Sequence, residues 1–447
     1  LKRCCLALAL VLALLCGCRA DTRPVSVVST GTAASVAASK QPTASLSATT
    51  ALTTAVSAGT ASAETTTSRV ARTTTRAATT AAPSTTRTTE MRGVWLSYYE
   101  IDALLNGKTA AAAGAALDEL MQTCASYGLN TVFFHVRGNS DAYYASQQYP
   151  AATSVKSLLV AGFDPLQRAV QAAHKNGLKL HAWVNPYRVG KDKTRARVDK
   201  IFTYQDTLYY MPHEAAVQQL VVAGVREIVQ NYAVDGVQFD DYFYPEGGVP
   251  TDQPAAFEKT AFSAWQQKNS SGTIGNWRRS CVDALIRDVY KAVHTRAGCV
   301  FGVSPDADAD KDHDRLYADV TGWMNRADRL DYVCPQVYYG FEHETRPFHK
   351  MVQQWRGYKR RSSVQLYVGL ALYKAGQADA YAGSGADEWQ THDSIMARSV
   401  NWLRTRKDCG GFAFFSYAYF TPASAGLTGK ARQIAAREVE QVLALMR

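Results

Sequence analysis

From Met91 onward one unit recurs eight times: a short β-branched or aromatic run, a loop, and an amphipathic helical stretch. The runs are RGVWLSYY (92–99), NTVFFHVR (130–137), LKLHAWVN (178–185), DGVQFD (235–240), CVFGVS (299–304), DYVCPQVYY (331–339), VQLYVGLAL (364–372) and GGFAFFSY (410–417). Helical stretches such as AAAAGAALDELMQTCASYG, DPLQRAVQAAHKNG and WRRSCVDALIRDVYKAVHTRAG separate them, and GLTGKARQIAAREVEQVLALMR supplies the last. Near-continuous apolar strands need cover, which crossover helices give to a parallel sheet. YGLN and NGLK put Gly128 and Gly177 where a left-handed cap ends a helix before the next strand. Eight such units predict an α/β fold of the (β/α)8 TIM-barrel type over residues 90–447. A doubly wound sheet would bring a Gly-rich phosphate turn after its first strand, and LSYYEID has none.

In such a barrel, functional groups stand at the C-terminal ends of the strands. The fourth run ends VDGVQFDDYFYP, with Asp240 and Asp241 side by side. Alternation puts Gln238, Asp240 and Tyr242 on one face and Val237, Phe239 and Asp241 on the other. Val237 and Phe239 suit the helix-facing side, so Asp240 is expected in the barrel mouth and Asp241 at its rim. A carboxylate at that depth is expensive unless a cation neutralises it or a reaction uses it.

The other strand ends bring Trp95 and Tyr98; His135 and Arg137; Trp183, Asn185 and Tyr187; Gln336 and Tyr338; Tyr373; and Tyr417. Aromatic faces stack on sugar rings, amides and Arg bind hydroxyls, and paired carboxylates cleave glycosidic bonds. These residues, with Gln238 and Tyr242, are candidate substrate contacts. Trp95, Trp183 and the tyrosines could equally fill barrel layers, His135 could be a satisfied core histidine, and Arg137 could neutralise a carboxylate. Asp241 would serve as a second carboxylate or an orienting hydrogen-bond partner, while Asp306, beyond the fifth strand, and Glu342 and Glu344, beyond the sixth, compete to be the catalytic partner of Asp240. DADADKDHD (306–314) resembles a calcium loop at Asp306, Asp308 and Asp310. Lys311 stands where Gly is needed and Tyr317 where a bidentate Glu belongs, so a solvated acidic loop is the better reading. With no H-E-x-x-H, P-loop or G-x-S-x-G, no metal or cofactor is expected.

The first residues have the layout of an export signal: Lys2 and Arg3, then CCLALALVLALL, too short for a permanent bilayer span. Leu15-Cys16-Gly17-Cys18 resembles the box of bacterial lipoproteins. Residues 1–18 are thus expected to be a signal peptide, with Cys18 lipidated and the chain tethered outside the cytoplasm to the bacterial membrane. An ordinary secretory signal is the alternative. Residues 19–89 are Thr, Ala and Ser with scattered Arg, a composition that cannot bury enough surface to order itself, and are read as a disordered stalk. The formal charge of +10 is front-loaded. Lys2 and Arg3 carry two of these charges; residues 19–90, with seven Lys/Arg and three Asp/Glu, carry four more. The remaining four are spread over the barrel region without a basic stripe, which argues against nucleic acid. Nothing indicates a protein partner. Cys124, Cys281, Cys299, Cys334 and Cys409 are far apart and odd in number, so buried free thiols are expected.

EMRGVWLSYYEI, FFHVRGNSDAYY, LHAWVNPYR, VDGVQFDDYFYP, FGVSPDAD, YADVTGWMNRADRLDYVCPQVYYGF and GFAFFSY together resemble the glycosyl hydrolase-like 10 family (domain of unknown function 187). The resemblance runs from about Glu90 to Phe420. It implies a TIM-barrel glycoside hydrolase, often an envelope lipoprotein, acting on cell-wall or other envelope glycan; some members are associated with peptidoglycan strands lacking their peptides. It implies site roles for Asp240, Asp241 and their strand-end neighbours. The chitinase-type signature D-G-x-D-x-D-x-E is met only at Asp235, Gly236 and Asp240, since Gln238 and Tyr242 replace its other acids. The alternatives are a non-catalytic glycan-binding barrel and, with less support, a carbohydrate esterase or deacetylase.

Overall fold

The computed structural model describes residues 90–447; the expected signal, Cys18 and the stalk lie outside the described residues. Its strands are β1 (Met91–Leu96), β2 (Thr131–Arg137), β3 (Lys179–Val184), β4 (Arg188–Gly190), β5 (Ile201–Tyr204), β6 (Thr207–Tyr210), β7 (Gly236–Phe239), β8 (Val300–Val303), β9 (Tyr332–Val333), β10 (Gln365–Leu370) and β11 (Gly411–Phe414). Eight close a parallel barrel in the order β1-β11-β10-β9-β8-β7-β3-β2. Each expected run overlaps one of them. The sixth is short because the chain leaves regular pairing at Pro335, and bridges from Gln336 to Asp306 and Gly369 continue its path.

The strand alternation builds two cores. Val94, Val132, Phe134, Leu180, Ala182, Val237, Phe239, Phe412 and Phe414 join the large apolar shell beneath the helices. Their alternates Trp95, Phe133, Trp183, Tyr332, Cys334 and Ala413 fill the barrel interior. Parallel register sets Trp95 opposite Phe133 and Phe133 opposite His181, while His135, Trp183 and Gln238 stand opposite one another two residues further along, in the next inward row toward the C-terminal end.

Local chemistry fixes the helix ends. Thr109, Asp164 and Thr273 accept from the backbone N–H of the third residue of the helices Ala110–Ser126, Pro165–Lys175 and Ile274–Val293, satisfying donors those first turns would leave free. Gly128 and Gly177 take φ of 79° and 70°, as the cap reading requires. At Gly128 a Cβ would also stand 2.4 Å from the carbonyl oxygen of Met446, so this glycine lets the last helix close on the first unit. Cys124, Cys281, Cys299, Cys334 and Cys409 are all free.

One element has no counterpart among the expected runs. β4, β6 and β5 form a separate antiparallel sheet just beyond the C-terminal end of β3. Ile201–Tyr204 and Thr207–Tyr210 pair around Gln205-Asp206, with Gln205 at φ 51°, the left-handed geometry of a tight hairpin.

Candidate active site

At the C-terminal end of the barrel, Trp95, Trp183, Gln238, Asp240, Asp241, Tyr242, Ser304, Gln336, Tyr338 and Phe415 line a narrow cleft. Asp240 follows the last residue of β7 and is almost fully buried. Its Oδ2 accepts from Trp183 Nε1 (2.8 Å) and its Oδ1 from the backbone N–H of Tyr242 (3.2 Å). Among the described residues no cation pairs with it. Burial, reinforced by the neighbouring charge of Asp241, pushes the Asp240 carboxyl up to about 8 against the pull of those two donors.

Asp241 is half-buried and accepts from Gln336 Nε2 (3.0 Å). Burial and then Asp306 raise it, while Lys311 and Gln336 hold it down, to about 6. The two carboxyls share one cleft with their proton affinities pushed apart, the arrangement in which one group serves as acid while its neighbour is ionised. Because they interact, these values belong to the pair.

Asp306 stands behind Asp241. Its Oδ2 accepts from Lys311 Nζ (2.9 Å), and the same ammonium reaches Glu246 (3.1 Å). Residues 309–314 form a helix with Asp308 as its N-cap, so the acidic run is not a calcium loop; Lys311 occupies the space between the carboxylates. The structure finds no metal-holding group of His, Cys, Asp or Glu among the described residues. Glu342 lies apart from the cleft, exposed, with its carboxylate 3.9 Å from His392.

Of the expected substrate contacts, Trp95, Trp183, Gln238, Tyr242, Gln336 and Tyr338 line the cleft. Gln238 is fully buried at its base, with Nε2 lacking a partner. His135 stacks flat on Trp183 (3.6 Å between centroids, 8°), and Tyr98 meets His135 edge-on at 5.3 Å. Tyr373 packs edge-on against Tyr338 at 5.8 Å. These three back the walls. Asn185 is buried and accepts from the N–H of Arg188 (3.3 Å). Arg137 is buried over the ring of Tyr149 (3.9 Å), and Tyr187 is fully enclosed, so both act as packing at this level. Tyr417 turns the other way: Cys124, Tyr127, Thr123 and Glu119, on or next to the helix Ala110–Ser126, surround it, and burial pushes its hydroxyl up to about 12.

Phe415 was not among the expected contacts, yet it joins the aromatic wall. Its ring lies 6.2 Å from Trp95, 6.4 Å from Trp183, 5.8 Å from Tyr338 and 6.0 Å from Tyr373. The signal was the period of two along GFAFFSY, which puts Phe415 on the same face as inward Ala413. Ser304 also lines the cleft, its Oγ donating to the carbonyl of Cys334 (2.9 Å).

A model of the family described as Glycosyl hydrolase-like 10 matches residues 90–384. The chain belongs to this family. Among curated relatives it is 29% identical over 343 residues to glycosyl hydrolase DigH of Escherichia coli K12, covering 66% of this chain and 76% of DigH. It is 28% identical over 323 residues to glycosyl hydrolase YngK of Bacillus subtilis, covering 64% of this chain and 61% of YngK, about three fifths of that protein's length. The glycoside hydrolase domain of PgaB from Bordetella bronchiseptica shares the fold, with a TM-score of 0.52 at 12% identity over 78% of this chain and 98% of that one. The Glycosyl hydrolase-like 10 assignment thus covers all the strands of the cleft except β11.

Proposed function

We propose that this Glycosyl hydrolase-like 10 chain cleaves O-glycosidic bonds, with Asp240 donating a proton to the leaving oxygen and Asp241 acting as its ionised partner. One observation carries the reading: two adjacent carboxyls face an aromatic cleft, and among the described residues no cation neutralises the deeper one. Between about pH 6 and 8 Asp240 holds its proton while Asp241 has lost its own, which is the division of labour glycoside hydrolysis needs. Trp95, Trp183, Tyr338 and Phe415 supply flat faces for sugar rings, and Gln238 and Gln336 supply amides for hydroxyls. Asp306, tied to Lys311, tunes Asp241 in this reading.

We take the substrate to be a cell-envelope glycan, with peptidoglycan strands the first to test, and the protein to be held outside the cytoplasm by a lipid on Cys18. The Leu15-to-Cys18 box supports this placement. Cys18→Ala should then shift the protein from the membrane fraction to the soluble one; unchanged partitioning would remove the anchor. For the chemistry, new reducing ends should appear when purified wall glycan meets wild type and not when it meets Asp240→Asn. Undiminished release by the variant rejects the assignment of Asp240. Binding without release by both proteins marks a non-catalytic glycan-binding barrel, and release of acetate alone marks an esterase.

A further inference from the structure

Arg188 opens β4 a few residues past the cleft end of β3. Its guanidinium lies over the ring of Tyr242, 5.8 Å from the centroid, and Tyr242 is itself a wall of the cleft. The charge is boxed by phenols: Tyr98, Tyr242, Tyr99 and Tyr209 are its electrostatic neighbours. Burial pushes Tyr98, Tyr242 and Tyr209 above the usual phenol range, so they are neutral near pH 7. Arg195, a few residues on, is answered by Asp141 and Asp192. Among the described residues Arg188 has no such carboxylate, and its Nε is buried without a hydrogen-bond partner.

A second unsatisfied donor lies within the field of that charge. His135 is buried against Trp183, and its Nδ1 accepts from the backbone N–H of Tyr98 (3.4 Å). The ring proton is therefore on Nε2, which has no partner. Burial, and then the charge of Arg188, keep this ring neutral, so it offers that single N–H. A half-buried cation without a counter-charge, beside an unused N–H, is unfavourable until an anion completes it. Guanidinium and imidazole N–H groups suit a carboxylate, which accepts from both.

We propose that Arg188, assisted by His135 Nε2, forms a subsite for a carboxylate carried by a sugar bound in the cleft. This rests on the glycan reading above and narrows its substrate to acidic sugars. The carboxylate could be the ether-linked acid of a muramic residue or the ring acid of a uronic residue, and the same experiment separates them.

The full chain carrying Asp240→Asn, so that nothing is cleaved, is titrated calorimetrically with two pairs of probes. One pair is the N-acetylglucosamine–N-acetylmuramic acid disaccharide and its methyl ester; the other is a glucuronic acid disaccharide and its methyl ester. At least one free acid should bind about tenfold tighter than its ester, as a charge-assisted hydrogen bond implies, and which one does so identifies the source. The preference should shrink with added salt. Adding Arg188→Gln should bring that acid down to its ester's affinity, whereas Arg188→Lys should keep part of the preference. Equal affinity of acid and ester in both pairs overturns the subsite, as does a preference that survives Arg188→Gln. Should Arg188→Gln fail to fold, the salt dependence and the Arg188→Lys variant still decide. Hydrolysis is judged separately on wild type: if an ester is cut and its acid has no advantage, only the subsite falls. If no probe is bound or cut, the hydrolase reading falls and takes the subsite with it.

Discussion

Asp240 and Glu258 are both buried carboxyls near the C-terminal end of the barrel, and they are treated in opposite ways. Glu258 is fully enclosed and meets Arg278 in a two-pronged pair, Nε to Oε1 at 2.9 Å and Nη2 to Oε2 at 2.5 Å. Ala255 N–H and the Tyr244 hydroxyl complete its shell, while Pro250, Gln253 and Tyr317 take up the rest of the guanidinium. Asp240 has an indole N–H, a backbone N–H and another acid beside it. A charge whose donors are all supplied is part of the scaffold; one left short of them is held ready to change its protonation.

The widest separation should come from activity. Asp240→Asn should lower reducing-end release about 10³-fold, the scale of a lost general acid; a drop below tenfold would put Asp240 outside the chemistry. Glu258→Ala should act through the fold instead, losing about 3–5 kcal/mol in urea unfolding because Arg278 is left buried without a counter-charge. A loss under about 1 kcal/mol would mean that water reaches and replaces the pair.

Asp240 also makes stability depend on pH in a definite direction. Its folded value, about 8, lies above the unfolded value of about 3.9. Its contribution is therefore full below about pH 4 and lost as pH rises through 8. Asp240→Asn should gain on wild type between pH 5 and pH 8, by about 3–4 kcal/mol; parallel stability curves for the two proteins would contradict the raised value. Smaller still is the effect at Lys311, whose ammonium holds Asp241 down. Lys311→Met should move the acid limb of the kcat/KM profile to higher pH by about one unit or less, and a shift to lower pH would reverse the assigned role. At the bottom stands the exposed Arg356–Asp408 pair (2.8 Å). Arg356→Ala should change stability by less than about 1 kcal/mol in the same unfolding assay.

Much of this was legible in advance where it depends on local periodicity. The face assignment along VDGVQFDD follows from alternation alone, and Asp240 stands in the cleft while Val237 and Phe239 join the outer shell. Asp241 was expected only at the rim, but it also lines the cleft, because the chain leaves strand geometry after Phe239 and alternation stops applying. Glu342 and Tyr417 failed for a related reason: each lies in a segment beyond its strand, where proximity in sequence no longer sets direction. Arg278 and Glu258 carry no pattern at all; their pairing joins a loop to a helix twenty residues on.

The eight-fold alternation of strand and helix, the inward face of each strand and the glycine caps are written in the order of residues, since each depends on neighbours within a few positions. Which buried charges are answered and which are left wanting was decided only by folding. Asp240 depends on an indole from β3, Asp241 on an amide beyond β9 and an ammonium beyond β8, and Arg188 on tyrosines from three parts of the chain. Electrostatics and desolvation act through space, and only the closed barrel sets those distances.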